Sequence, residues 1–117
     1  MGGASKGLGR ACAERLAAEG ANLTVCARNE ADLEATADAI RQSTGRSVLA
    51  VAADWSKAED IDRTVEETIR TYNRIDILVH NTGGPPPGEF SDHPDEHWQA
   101  AFELLLFSAI RMYRAVT

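Results

Sequence analysis

The chain has 117 residues, 44% of them hydrophobic and 26% charged, which suits one globular unit or part of a larger one. Twelve Lys+Arg against 18 Asp+Glu leave a net charge of −6, which argues against nucleic acid as the main partner. Cys12 and Cys26 form no Cys-x-x-Cys pair, and no apolar run approaches the roughly 20 residues of a membrane helix, so neither a disulfide framework nor a membrane span is expected.

The chain opens on MGGASKGLGR, in which Gly3, Gly7 and Gly9 surround Ser5 and Lys6. From Leu8 to about Glu19, Leu8, Cys12 and Leu16 recur at helical spacing, and Gly20 is placed to stop the helix. Residues 21–28, ANLTVCAR, read as a short, nearly all-apolar strand. Asn29 is the expected N-cap of a second helix, with Leu33, Ala37 and Ile40 on one face and an end near Thr44-Gly45. SVLAVAAD gives another buried strand closing on Asp54, and a third helix follows with Ile61, Val65, Ile69 and Tyr72 as its stripe. IDILVHN, residues 75–81, reads as a further strand and TGGPPPGEF as a loop. After Pro94 a long helix is expected, with Trp98, Phe102, Leu105, Ala109 and Met112 on its apolar side. The order α-β-α-β-α-β-α, with strands apolar throughout, implies an α/β fold with a parallel sheet covered on both faces.

A helix N-terminus offers free N–H groups and the positive end of its dipole, and glycine lets a phosphate approach the backbone. The spacing Gly3-x-x-x-Gly7-x-Gly9 is neither a P-loop nor the plain G-x-G-x-x-G. Taken alone it fits either a nucleotide turn or a frayed terminus. The next strand sharpens the choice. In dinucleotide folds an acidic residue about 20 positions on holds the ribose 2′-OH, but here the strand ends on Arg28, 19 positions past Gly9. A guanidinium there can grip a 2′-phosphate, and Lys6 can approach the same group, which favours NADP(H) over NAD(H). Arg28 as a solvated loop residue is the competing reading. The same arginine argues against an S-adenosylmethionine site, where a carboxylate would face the ribose hydroxyls.

Together, GGASKGLGR, CARN, AADWS and ILVHNTGGP, in this order and at these intervals, resemble the cofactor half of a short-chain dehydrogenase/reductase. The nearest likeness is to the 3-oxoacyl-acyl-carrier-protein-reductase branch. The resemblance covers nearly the whole chain and implies a Rossmann-type doubly wound sheet. It implies that Ser5, Lys6 and Leu8 line the pyrophosphate and ribose site beside the three glycines. Asp54 would then bond the adenine amino group with Trp55 beside the ring, while Asn81, Thr82 and Gly83 close over the adenosine ribose. The implied reaction is hydride transfer between NADP(H) and a small carbonyl substrate, in a homo-oligomer built through the 95–117 helix.

Three departures stand out. Gly2 replaces the family's leading threonine, His80-Asn81-Thr82-Gly83 replaces its Asn-Asn-Ala-Gly, and Leu105 stands where an active-site asparagine often follows an aromatic by three. The family's Tyr-x-x-x-Lys is missing too: Asp76 and Thr117 lie four residues after Tyr72 and Tyr113, so no catalytic residue is assigned. Only Met1 and Gly2 precede the glycine turn, so the central first strand is expected to be absent and its two neighbours to be left unpaired. Residues 1–117 are therefore expected to be a partial NADP(H)-binding domain of a longer cytoplasmic reductase, inactive alone. The alternative is a non-catalytic nucleotide-binding or interaction protein derived from a truncated reductase. His93 and His97 are four apart, but Pro94 sits between them and no third ligand is evident, so no metal site is assigned.

Overall fold

The computed structural model describes all of residues 1–117. In chain order it contains α1 (Gly7–Ala18), β1 (Leu23–Ala27), α2 (Glu30–Thr44), β2 (Val48–Ala52) and α3 (Ala58–Tyr72). A short 3-10 turn, Phe90–Asp92, leads into one long helical rod. That rod comprises α4 (Asp95–Ala101), a π-helical segment Phe102–Phe107 and α5 (Ser108–Val116).

β1 and β2 pair in parallel, from Leu23 opposite Val48 to Ala27 opposite Ala52. Side chains alternate between the two faces of a strand, so β1 feeds two separate cores. Leu23 and Val25 pack with Ala13 and Ala17 of α1 and with Leu33, Ala37 and Ile40 of α2. Cys26 packs on the other side with Val51, Trp55, Ile61 of α3 and Met112 of α5. Helices therefore cover both faces of the sheet, as the apolar strands require. Asn29 caps α2 as expected, its Oδ1 accepting from the Asp32 N–H at 2.9 Å.

Three expectations are corrected. The first concerns the centre of the sheet, which is not empty. Met1–Ala4 runs alongside β1: the Met1 nitrogen donates to Thr24 O (2.9 Å), Cys26 N to Met1 O (2.9 Å) and Ala4 N to Cys26 O (3.0 Å). These four residues occupy the central place, with Gly2 N donating to Val79 O on the far side at 3.2 Å.

The second is residues 75–81, which form no regular strand. The Gly2–Val79 bond is their only backbone ladder contact, because Met1–Ala4 pairs briefly and then bends into the glycine turn. Ile77 is accordingly 69% exposed.

The third is the buried face of the last helix. Met112 is buried as expected, but Trp98, Phe102 and Leu105 are about half exposed, and Ser108 is buried instead. A π turn carries one extra residue, which rotates the following face by about 100° relative to a continuous α-helix. No helix is long and apolar enough to cross a membrane.

Candidate functional site

The C-terminal ends of β1 and β2 open into a cleft of about 770 Å³. Eleven of the twelve residues singled out in the sequence line it: Gly3, Ser5, Lys6, Leu8, Gly9, Arg28, Asp54, Trp55, Asn81, Thr82 and Gly83. Gly7 does not; it is exposed and opens α1.

The glycine turn is dictated by close approach. Gly3 holds φ at +56°, and a Cβ there would stand 2.6 Å from Asn81 Nδ2. A Cβ on Gly9 would collide with the Gly3 carbonyl. Only hydrogen at these two positions lets the start of α1 fold back against Met1–Ala4 and Asn81. The segment is tied from below by Thr36, whose Oγ1 donates to Ser5 O at 3.1 Å.

The α1 N-terminus is electrostatically unlike its counterparts. It has no side-chain cap and no acidic residue in its first turn, whereas α2 carries Glu30 and Asp32 there and α3 carries Glu59 and Asp60. Its free N–H groups and dipole face the cleft without a protein anion to satisfy them. Lys6 and Arg28 are both exposed on the cleft wall, and neither forms an ion pair within the chain. Two uncompensated cations beside an uncapped helix start make an anion-receiving wall.

The opposite wall is acidic and ordered. Asp54 Oδ1 accepts from Ser56 N (3.0 Å) and Ser56 Oγ (2.7 Å), which leaves Oδ2 without a protein partner. Asp60 Oδ2 accepts from Asp54 N at 2.8 Å, and that bond, followed by the Arg63 guanidinium, holds the Asp60 carboxyl below the usual carboxylate range. Asn81 Nδ2 reaches Gly2 O at 3.4 Å and joins the cleft rim to the central segment.

Trp55 is placed differently from an open ring platform. It is only 5% exposed, lies over Gly2 and stacks on His80 with ring centroids 5.6 Å apart. The indole therefore forms part of the cleft's floor from within the core. Leu105 is also outside the cleft, and Leu104 lines it instead. Asn29, Asp32 and Gly84 line it too. Asn29 was legible only as a cap, because a side chain that caps a helix after a strand also stands at the strand's end. Cys26 reaches the cleft, but burial pushes its thiol up, away from the reactive thiolate.

Neither tyrosine reaches the cleft. The Tyr72 hydroxyl donates to Leu23 O at 2.9 Å and lies 3.1 Å from Ser47 Oγ, and Tyr113 is 54% exposed on α5. His93 and His97 face one another, Nδ1 to Nδ1 at 3.1 Å, and no group of three or more potential ligands surrounds a common point.

Residues 1–117 match the family model described as short chain dehydrogenase. Among curated relatives, the "Uncharacterized oxidoreductase YvaG" of Bacillus subtilis (strain 168) is 34% identical over 96% of this chain and 41% of its own length. Among solved structures, L-sorbose reductase from Gluconobacter frateurii, complexed with NADPH and L-sorbose, superposes with a TM-score of 0.95 at 35% identity. That match covers 99% of this chain and 44% of the reductase. A short-chain dehydrogenase from Sphingobium yanoikuyae in complex with NADPH gives a TM-score of 0.88 at 34% identity, covering 99% of this chain and 45% of its own. The chain thus spans less than half the length of each of these three proteins.

Proposed function

The chain belongs to the short-chain dehydrogenase family, and from that premise we propose that residues 1–117 form an NADP(H)-binding domain of a carbonyl-reducing oxidoreductase. The observation that carries the reading is the pair of unpaired cations, Lys6 and Arg28, flanking a glycine cradle that a single Cβ would block. Four anionic or polar portions of the dinucleotide find matching chemistry. The uncapped start of α1 with Ser5 and Leu8 receives the pyrophosphate, and Arg28 with Lys6 receives the 2′-phosphate. The free Oδ2 of Asp54 accepts from the adenine amino group, and Asn81, Thr82 and Gly83 border the ribose. Solved neighbours complexed with NADPH support the same choice of cofactor.

When bound, NADPH supplies a hydride to a carbonyl carbon. The side chains of this chain bind and orient the nucleotide but offer no tyrosine–lysine pair to protonate the carbonyl oxygen. Tyr72 is committed to Leu23 and Ser47, Tyr113 lies outside the cleft, and neither is followed by lysine at the fourth position. The 117 residues on their own are therefore a nucleotide-binding unit without turnover. Carbonyl-dependent NADPH oxidation by the 117-residue chain overturns this. The order of the four motifs supports placement near 3-oxoacyl-acyl-carrier-protein reductases, while the L-sorbose reductase neighbour makes a ketose the second substrate class to assay. The half-exposed Trp98, Phe102, Leu106 and Ile110 along the last helix supply the apolar face for a second copy of the chain.

Fluorescence titration with NADPH and NADH tests the cofactor reading. Arg28→Ala weakens NADPH binding about tenfold to a hundredfold, the worth of a charge-assisted hydrogen bond, and leaves NADH unchanged. Equal loss for both, or no loss for either, removes the 2′-phosphate from Arg28.

A further inference from the structure

Ser108 is a fully buried polar residue in an otherwise apolar helix face. Its Oγ donates to the Leu104 carbonyl inside the π segment, and the same Oγ lies 3.0 Å from His80 Nε2. A hydroxyl has one proton to give. With that proton committed to Leu104, the contact to His80 requires Nε2–H to donate and Oγ to accept. The hydrogen-bond geometry thereby reads His80 as the Nε2–H tautomer, and burial, which pushes the imidazole below its ordinary value, favours the neutral ring.

The bridge joins two parts of the cleft that are far apart in sequence. On one side, His80 directly precedes Asn81, which lines the cleft and holds Gly2 O. On the other, Leu104 lines the cleft from the π segment, and its carbonyl accepts the hydrogen bond from the Ser108 hydroxyl. A π turn leaves backbone groups out of the regular α-helical ladder, and a serine hydroxyl bonded back to the i−4 carbonyl bends the helix at that point. Trp55, stacked on His80, closes the same assembly from the floor.

We propose that His80 and Ser108 are positioning residues for the nucleotide, because their bridge locks the π segment with Leu104 in the cleft wall and fixes Asn81 opposite. This rests on the cleft's being the NADP(H) site. The bridge itself is tested without that premise.

Nitrogen-15 NMR of the imidazole in the unmodified protein is expected to show the Nε2–H tautomer, and an Nδ1–H tautomer overturns the proposal before any variant is made. Ser108→Ala and His80→Ala are each expected to weaken NADPH binding about threefold to tenfold, the range of one neutral hydrogen bond. The double variant should be no weaker than the poorer single one, and His80→Gln, which keeps an N–H donor, should stay within about twofold of the unmodified protein. Folded Ser108→Ala protein with unchanged affinity and unchanged amide exchange at residues 104–108 overturns the proposal. If the unmodified protein fails to bind NADPH, the cofactor reading falls, and the tautomer and amide exchange still decide the bridge.

Discussion

Two cavities flank the central segment Met1–Ala4, and they differ in kind more than in size. The cleft above it, of about 770 Å³, exposes Lys6, Arg28, one oxygen of Asp54 and the uncapped start of α1, all without protein partners. The cavity below it, of about 390 Å³, is lined by Met1, Leu23, Val65, Ile77, Leu78 and Met112 among others. Its polar groups are mostly closed on one another: Tyr72 on Leu23 O, and Thr68 Oγ1 on Thr24 Oγ1 at 2.9 Å. Only Arg46 Nε and Trp55 Nε1 are buried unpaired, and Trp55 borders both spaces. The difference is one of charge: two unpaired cations and a free carboxylate oxygen mark the upper space, whereas the guanidinium groups at the lower one, Arg46 and Arg74, are bonded to Asn22 and Asp76.

Substitutions can break that contrast. The largest effect is expected from Trp55→Ala, which opens both spaces at once and should cost about 3–5 kcal/mol of stability in urea unfolding, with NADPH binding lost alongside. Gly9→Val acts on the upper cleft alone. Its side chain collides with the Gly3 carbonyl, so a stability loss of about 1–3 kcal/mol is expected, together with no NADPH-dependent rise in thermal midpoint. Tyr72→Phe acts on the lower cavity alone. It should cost about 1 kcal/mol through the lost bond to Leu23 O while leaving NADPH affinity unchanged, and a loss of affinity would show that the two spaces are not independent.

The smallest effect is one of pH. His80 is held below its ordinary value by desolvation, so between its folded value and the unfolded value near 6.5 the unfolded chain binds more protons. Stability should therefore be complete above that window and fall as pH drops through it. His80→Gln should flatten this slope in urea midpoints measured from pH 7.5 to 5.

Much of this was legible in the sequence, for reasons that are local. Asn29 and Gly9 act within a few residues of themselves: Asn29 caps onto Asp32, and Gly9 clears the Gly3 carbonyl. The nearly all-apolar run ANLTVCAR marked a strand covered on both faces, which β1 is. What could not be read depended on distant partners. The pairing of Met1–Ala4 with β1 and Val79 is invisible until 79 residues are folded together, and so is the irregularity of residues 75–81. The rotation of the last helix arises from the π segment, whose sequence FELLLF differs in no obvious way from an α-helical one. Trp55 followed Asp54 at a strand end and looked like a ligand platform, whereas the absent side chain of Gly2 lets it sink into the core.

The double pairing of Met1–Ala4 also sets an order of assembly. The unit from β1 through β2 joins neighbours in sequence and can form as soon as it exists. The central segment waits for Val79 before its second edge is met. Non-local closure of this kind slows folding. The cleft is complete only when residues 1–9 and residues 79–104 have found each other, so binding in it would report on finished folding.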